Sequence, residues 1–313
     1  MKSQISRIVS FFTAPVFPRR AISIEAQQVA VAAVGRKRGA IAVTHAAIQP
    51  LPTGLIEPRF TELNIKDKDR VSHAVAQALE KAGLKRERRW SLAIPRKATR
   101  TFIVHLDDAP ASNRDRMEML EWKVERLLEV ALSDLTAAFQ RLQSTNGQER
   151  YLAVVASNEV VASYEAVLAS LNITAGFVLP AHLAEAAWLQ LWPTERDALL
   201  FAAEPDHLTV IFMRQGDFLS LRSVELVGES LADEIHRTLV YYLDKLAPHG
   251  LPQLDTILLI GSLLNVNQVV ASCRDLFPME QQPTVRTLRD ERLSHEISWE
   301  TVAGAAGLAA MGL

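Results

Sequence analysis

A single cysteine, Cys273, stands in the 313 residues, so no disulfide framework can staple the fold and no cysteine-based zinc site can form. Cys273 falls in a helical-looking stretch and reads as a buried thiol. Aromatic residues are scarce, at 6% of a chain that is 49% hydrophobic. Small aliphatic side chains must therefore fill the interior, as in an α/β protein rich in Ala, Val and Leu. Neither sign of charge dominates: the formal net charge is −2, which leaves no electrostatic footprint for nucleic acid. The run Lys85-Arg-Glu-Arg-Arg89 reads as a solvated helix exit. No apolar stretch reaches the about 18 residues needed to cross a bilayer. The longest, Ala303 to Leu313, is too short and too rich in glycine.

Familiar catalytic motifs are missing too. There is no Gly-x-x-x-x-Gly-Lys-Ser/Thr loop, no Gly-x-Gly-x-x-Gly and no Gly-x-Ser-x-Gly elbow. The eight histidines include no His-Glu-x-x-His and no close pair. His73 and His236 fall in amphipathic helices, where a surface or partly buried position is expected. These absences leave no catalytic residue and no metal-ligand set to assign.

What the chain does have is one device used twice. Ile22 to Val34, a Gly35-Arg-Lys-Arg-Gly39 turn and Ala40 to His45 read as strand, tight turn, strand, glycine turn, strand. Leu199 to Phe212, an Arg214-Gln-Gly-Asp217 turn and Phe218 to Val224 read the same way. Two such meanders separated by more than half the chain imply two related subdomains facing a cleft. The first turn of each meander is then where phosphates would sit. Ahead of them, residues 1–20 carry Ile5, Ile8, Val9, Phe11 and Phe12 among Lys2, Arg7 and Ser10. That is a short amphipathic helix ended by Pro15 and Pro18, either packed on the domain or touching a membrane surface. It has no small-residue cleavage site after an apolar run, so it is not read as a signal peptide.

Between and after the meanders, strands alternate with helices. Asp67 or Asp69 is placed to cap a helix bearing Val71, Val75, Ala78 and Leu79, which ends at Gly83. Buried strands follow at Trp90 to Ile94 and at residues 99–106, then a helix carries Met117, Leu120, Val124, Leu127 and Leu128. Ala131 to Gln143 fits either a continuing helix or a strand with Leu135, Ala137 and Phe139 inward. A turn at Ser144 to Gln148, a strand at Tyr151 to Ala156, a helix capped by Ser157 or Asn158, and a strand and helix over 174–192 close the first half. The second half repeats the plan: meander, helix from Ser230 to Leu246, strand Thr256 to Ile260, Gly261, and two further helices. The pattern argues an α/β protein with mixed sheets.

In order of elements, the chain resembles the actin-like ATPase superfamily, and within it the PilM-type proteins of type IV pilus assembly. Ile48-Gln-Pro-Leu-Pro-Thr-Gly54 resembles the family's proline-glycine loop, and Trp90-Ser-Leu-Ala-Ile-Pro95 its alanine-isoleucine-proline strand end. Glu121-Trp-Lys-Val-Glu125 is similar to its inserted-subdomain helix. Tyr151 to Ala156 with Glu159 to Tyr164, Phe218 to Glu234, and Ala306-Gly-Leu-Ala309 extend the likeness over residues 20 to 313. The resemblance implies an α/β, actin-like (ribonuclease H-like) duplicated fold. Its subdomains would be 1A (21–98 and 173–197), an inserted 1C (99–172), 2A (198–227 and 256–313) and a helical 2B (228–255). It also implies that Asp134 to Leu142 is a strand of 1C.

The same resemblance exposes what the nucleotide motifs lack. The family places a carboxylate at the first strand end to hold magnesium through water, and a glycine after it so that backbone N–H groups reach the phosphates. Here Ser23 stands at the acid's position and Ala26 at the glycine's, beside Glu25 and Gln27. The second turn reads Ala202-Ala-Glu204-Pro205, and Pro205 removes a backbone donor. The adenosine-side glycine pair is reduced to Gly261-Ser262, and Gly228 lies in the second phosphate region. Ser23, Glu25, Gln27, Glu204, Gly228, Gly261 and Ser262 are therefore expected to line a degenerate nucleotide cleft. Glu25 and Glu204 are the two longer carboxylates with the reach to restore magnesium binding.

The function implied is a cytoplasmic scaffold at the inner face of the inner membrane, a pseudo-ATPase with no cofactor. It would dock the cytoplasmic tail of a PilN-like membrane protein between 1A and 1C, with Phe102, Val104, Trp122 and Glu125 beside the groove. A homo-oligomer and a peripheral membrane contact are compatible with it. Two alternatives stay open: a working ATPase that binds ATP and Mg in an atypical pocket, and an FtsA- or GspL-like cell-division or secretion component with another partner.

Overall fold

The computed structural model describes residues 17–37, 40–107, 109–130, 132–145, 147–190, 196–226, 230–247, 253–288 and 299–313. Residues 1–16, which carry the N-terminal amphipathic segment, and Gly228 lie outside the described residues. Two five-stranded sheets repeat one topology. In the first, β1 (Arg20–Ile24), β2 (Gln28–Lys37) and β3 (Ala40–Pro50) form an antiparallel meander. Strand β4 (Arg89–Ile94) pairs parallel to β1, and β8 (Thr174–Pro180) parallel to β4. In the second, β9 (Asp197–Glu204), β10 (His207–Arg214) and β11 (Asp217–Glu225) repeat the meander, and β12 (Leu254–Ile260) and β13 (Thr284–Thr287) repeat the parallel pair. The second glycine turn is a two-residue loop with Gln215 at φ 50° and Gly216 at φ 79°, which joins β10 to β11 with Arg214 opposite Asp217.

Helices interleave with these strands in matched positions: α1 (Lys68–Lys81), α3 (Asn158–Ala169) and α4 (Ala181–Gln190) in the first half, α5 (Leu231–Tyr241), α6 (Val266–Leu276) and α7 (Trp299–Ala310) in the second. The capping chemistry anticipated for α1 holds: Asp67 accepts from the Arg70 backbone N–H at 3.0 Å, and Gly83 takes φ 71° just past the end. Helix α5 ends in a π-turn over Tyr242–Leu246.

The central strands are apolar on both faces, and the period of two sorts their side chains between two layers. From β2, Val29, Val31 and Ala33 join α1 and α3, while Ala30 and Ala32 turn to α4 and α7. Strand β10 does the same, sending Leu208, Val210 and Phe212 to α5 and α6 and Ile211 and Met213 to the α4–α7 layer. One cluster therefore holds Ala30, Ala32, Leu200 and Ile211 with the small residues of α4 and α7. This shared core welds the halves together. Small residues are needed there: a Cβ on Gly307 of α7 would lie 2.1 Å from the Ala184 carbonyl of α4. Trp188 of α4 donates its indole N–H to the Ala303 carbonyl at 2.9 Å. Although α7 follows the second sheet in sequence, it packs on β1, β2 and β4 of the first.

Between β4 and α3 the chain leaves the first half to build β5 (Thr99–Leu106), α2 (Asn113–Leu128), β6 (Leu135–Thr145) and β7 (Gln148–Ser157). The strands form an antiparallel sheet in the order β5-β7-β6. Val104, Leu106, Tyr151, Ala153 and Val155 cover Leu120 and Val124 of α2, while Leu142 and Leu152 face the shared core. The stretch that fits helix or strand is a strand, because Leu135, Ala137 and Phe139 find the apolar face of α2. Helix α3, though assigned to the insert by sequence order, buries Val160, Tyr164, Val167 and Leu168 in the first half's core. The insert's own body thus ends near Ser157. No strand was anticipated at β13, which is four residues long, follows Pro283 and has no fully buried side chain.

Candidate functional site

The two first turns of the meanders meet across a cleft of about 610 Å³. Ser23, Glu25 and Gln27 come from the β1–β2 end, Glu204 and Asp206 from the β9–β10 end, and Gly261 from the end of β12. The sequence thus identified five residues that the fold brings together. Ser262 is exposed just beyond Gly261 and does not line the cleft. Arg96 and Lys97, directly after β4, and Glu185 of α4 also line it and were not anticipated. Glu185 is the sole carboxylate in the Ala181–Leu189 run, where only His182 is otherwise polar, a signal that could have found it.

Carboxylates crowd this cleft. The Ser23 hydroxyl donates to Glu25 Oε1 at 3.0 Å. Burial and then the nearby Glu204 push Glu25 up to about 8, against the lowering effects of Ser23 and Arg96. Burial, then Glu204 and Glu25, hold Glu185 well above the usual carboxylate range. At neutral pH Glu25 favours the protonated form.

Two cations of the first half reach across to the second. Arg96 Nε lies 3.9 Å from Glu204 Oε1, and its Nη1 donates to the Ser223 hydroxyl at 2.5 Å. Lys97 Nζ pairs with Asp206 Oδ2. Asp206 is held low, at about 2, by its hydrogen bonds and charge contacts with Lys97 and His207, which outweigh burial.

Gly261 has a packing explanation of its own. It sits at φ 110°, and a Cβ there would lie 2.4 Å from the Ala203 carbonyl oxygen. The glycine is required by the close approach of the β12 end to β9.

The residues expected beside a docking groove fall into separate places. Val104 is 3% exposed in the insert core, and Phe102 packs partly buried against the same cluster. Glu125 Oε1 accepts from the Leu132 backbone N–H at 2.9 Å, closing the turn after α2. Trp122 is 52% exposed, with the Arg126 guanidinium 5.0 Å above its ring. Leu127, Val130 and Met117 are exposed on or just beyond the same helix. Where the first half meets the insert, Phe60 packs into the insert core and Arg100 lies 4.7 Å above its ring.

The repeated sheets, the cleft at their paired turns and the insert after β4 define an architecture found in known structures. A chain of the PilM-PilN type IV pilus biogenesis complex superposes with a TM-score of 0.74 at 15% identity, covering 95% of this chain and 99% of that one. The fold is actin-like. A protein of Bacteroides thetaiotaomicron with an actin-like ATPase fold and unknown function matches with a TM-score of 0.51 at 9% identity, over 94% of this chain and 96% of its own. No protein-family model matches the sequence, and no curated protein does. Among the described residues no helix is long and apolar enough to cross a membrane, and no cluster of His, Cys, Asp or Glu is arranged to hold a metal ion.

Proposed function

We propose that the chain is a non-catalytic scaffold of a type IV pilus or related secretion machine, which docks the cytoplasmic tail of a PilN-like membrane protein. The observation that carries this reading is the full-length likeness to a chain of the PilM-PilN complex, which extends over the insert as well as the two sheets. The docking site is placed where the first half meets the insert, as the resemblance implies, and exposed Trp122, with the Arg126 guanidinium 5.0 Å above its ring, is its candidate anchor. An extended peptide needs an aromatic anchor and a polar rim, and no catalytic group.

The cleft's chemistry supports a pseudo-ATPase. Magnesium-bound triphosphate needs ionised oxygen ligands, and close backbone N–H groups to cradle its phosphates. Glu25 retains its proton near neutral pH, burial holds Glu185 well above the usual carboxylate range, Ser23 offers a hydroxyl, and Pro205 has no N–H. Arg96 and Lys97 are engaged by Ser223 and Asp206 of the opposite half. The residues present do not fit the cofactor, and the protein's own side chains bridge the gap a nucleotide would fill.

The test is isothermal titration of the full chain with synthetic tails of membrane proteins encoded beside it. One tail should bind saturably, and Trp122→Ala should weaken it about tenfold, the scale of an aromatic interface anchor. Failure of every such tail to bind would overturn the docking assignment.

A further inference from the structure

A second cavity, of about 630 Å³, lies behind the cleft, where the first half, the insert and the second half meet. Its charged lining is mostly basic. Some of that charge is already matched: Arg59 pairs with Glu62 at 3.0 Å, Lys97 with Asp206, and Arg222 Nη2 with Glu234 at 2.9 Å. Inner donors remain unmatched. Arg96, with a side chain only 12% exposed, faces Glu204 at 3.9 Å and donates through Nη1 to Ser223, yet its Nε and Nη2 have no hydrogen-bond partner. Arg222 Nε and His182 Nδ1 are buried without partners, and His182 is 4% exposed overall. Arg100 donates only to the carbonyls of Lys97 and Thr99 and has no carboxylate in ion-pair range among the described residues.

These groups feel one another. Burial and then the charge of Arg96 lower both Arg100 and His182, so two guanidinium charges share this space and His182, at about 3, is neutral. The three glutamates of the cleft do not line this cavity. Its own acids are Glu62, held by Arg59, and Glu225, whose side chain is 74% exposed and lies 3.6 Å from His207 Nε2. Buried donors without acceptors are costly, and a guanidinium fork matches the oxygens of a phosphate group. The volume is that of a small-molecule site.

We propose that this cavity binds a phosphate group, free or as a phosphomonoester, between Arg96 of the first half, Arg100 of the insert and Arg222 of the second half. Such a ligand would touch all three parts of the molecule at once. It adjoins the nucleotide cleft, with which it shares Pro58, Arg96 and Lys97, and borders the junction of first half and insert, but it rests on neither the pseudo-ATPase nor the tail-docking assignment.

The experiment titrates the full chain calorimetrically with inorganic phosphate and, separately, with phenyl phosphate, at constant ionic strength. Saturable binding on the order of 1 mM or tighter is expected. Arg100→Ala and Arg222→Gln should each weaken it at least tenfold, Arg100→Lys should weaken it less, and Lys85→Ala, on a distant surface, should leave it unchanged. Circular dichroism of each variant verifies folding. Should Arg100→Ala fail to fold, Arg100→Lys and Arg222→Gln carry the test. Tighter binding of phenyl phosphate would assign a phosphomonoester, and equal or weaker binding free phosphate. Absence of saturable binding of both ligands, or binding indifferent to folded variants of Arg100 and Arg222, would overturn the proposal.

Discussion

At Glu25, burial and the neighbouring Glu204 outweigh the Ser23 hydroxyl and Arg96, and the carboxyl keeps its proton up to about pH 8. The ordinary value is 4.5. Between the two, the folded chain binds more protons at this site than the unfolded chain, so this site's contribution to stability falls as pH rises through that window. Glu25→Gln should therefore raise the melting temperature at pH 8 by a few degrees and flatten its dependence on pH above 5. An unchanged pH profile would refute the assignment. Gly261 makes an opposite prediction: Gly261→Ala drives a Cβ against the Ala203 carbonyl and should cost about 2–4 kcal/mol in denaturant unfolding. The sequence revealed Ser23, Glu25, Gln27 and Glu204 because each stands at a turn of a recognisable meander, and Gly261 because it follows a buried strand where the resemblance implies a glycine pair. Arg96, next to the Trp90–Pro95 motif, and Glu185, a lone acid in its helix, carried local signals, but their meeting in the cleft is a property of the fold that the sequence does not state.

Among elements, α2 separates packing from display. Leu120 and Val124 are fully buried against the insert sheet, whereas Trp122 is half exposed. Leu120→Ala should cost about 2–5 kcal/mol of stability in equilibrium unfolding. Trp122→Ala should leave stability within about 0.5 kcal/mol. A large loss from Trp122→Ala would show that this face is core. Element type was legible wherever a full period repeated, as in α1 with Val71, Val75, Ala78 and Leu79. Local pattern could not decide Leu135–Thr145, where small residues fit helix and strand alike; pairing to β7 decides it. Nor could it place α3 or α7, since the layer a helix joins depends on which side of the sheet the chain crosses.

For the whole molecule, the question is what holds the halves and the insert in place. The shared α4–α7 core draws apolar residues from both sheets and from the insert. Beyond it, Arg150 of β7 is 4% exposed and donates to the Phe218 and Leu219 carbonyls of β11 at 2.7 and 2.9 Å. Arg150→Met should leave these carbonyls without that donor. Hydrogen exchange should then rise together in the insert sheet and β11. Exchange confined to β7 would contradict a joint between insert and second half. The exposed Lys97–Asp206 pair, by contrast, should be worth less than about 1 kcal/mol. The central claim concerns the cleft these contacts span: its architecture is actin-like, and we propose that it no longer binds nucleotide. Calorimetric titration of the full chain with Mg-ATP tests it most directly. The account predicts no saturable heat up to about 1 mM nucleotide. Micromolar binding that Glu25→Ala or Glu204→Ala abolishes would contradict it.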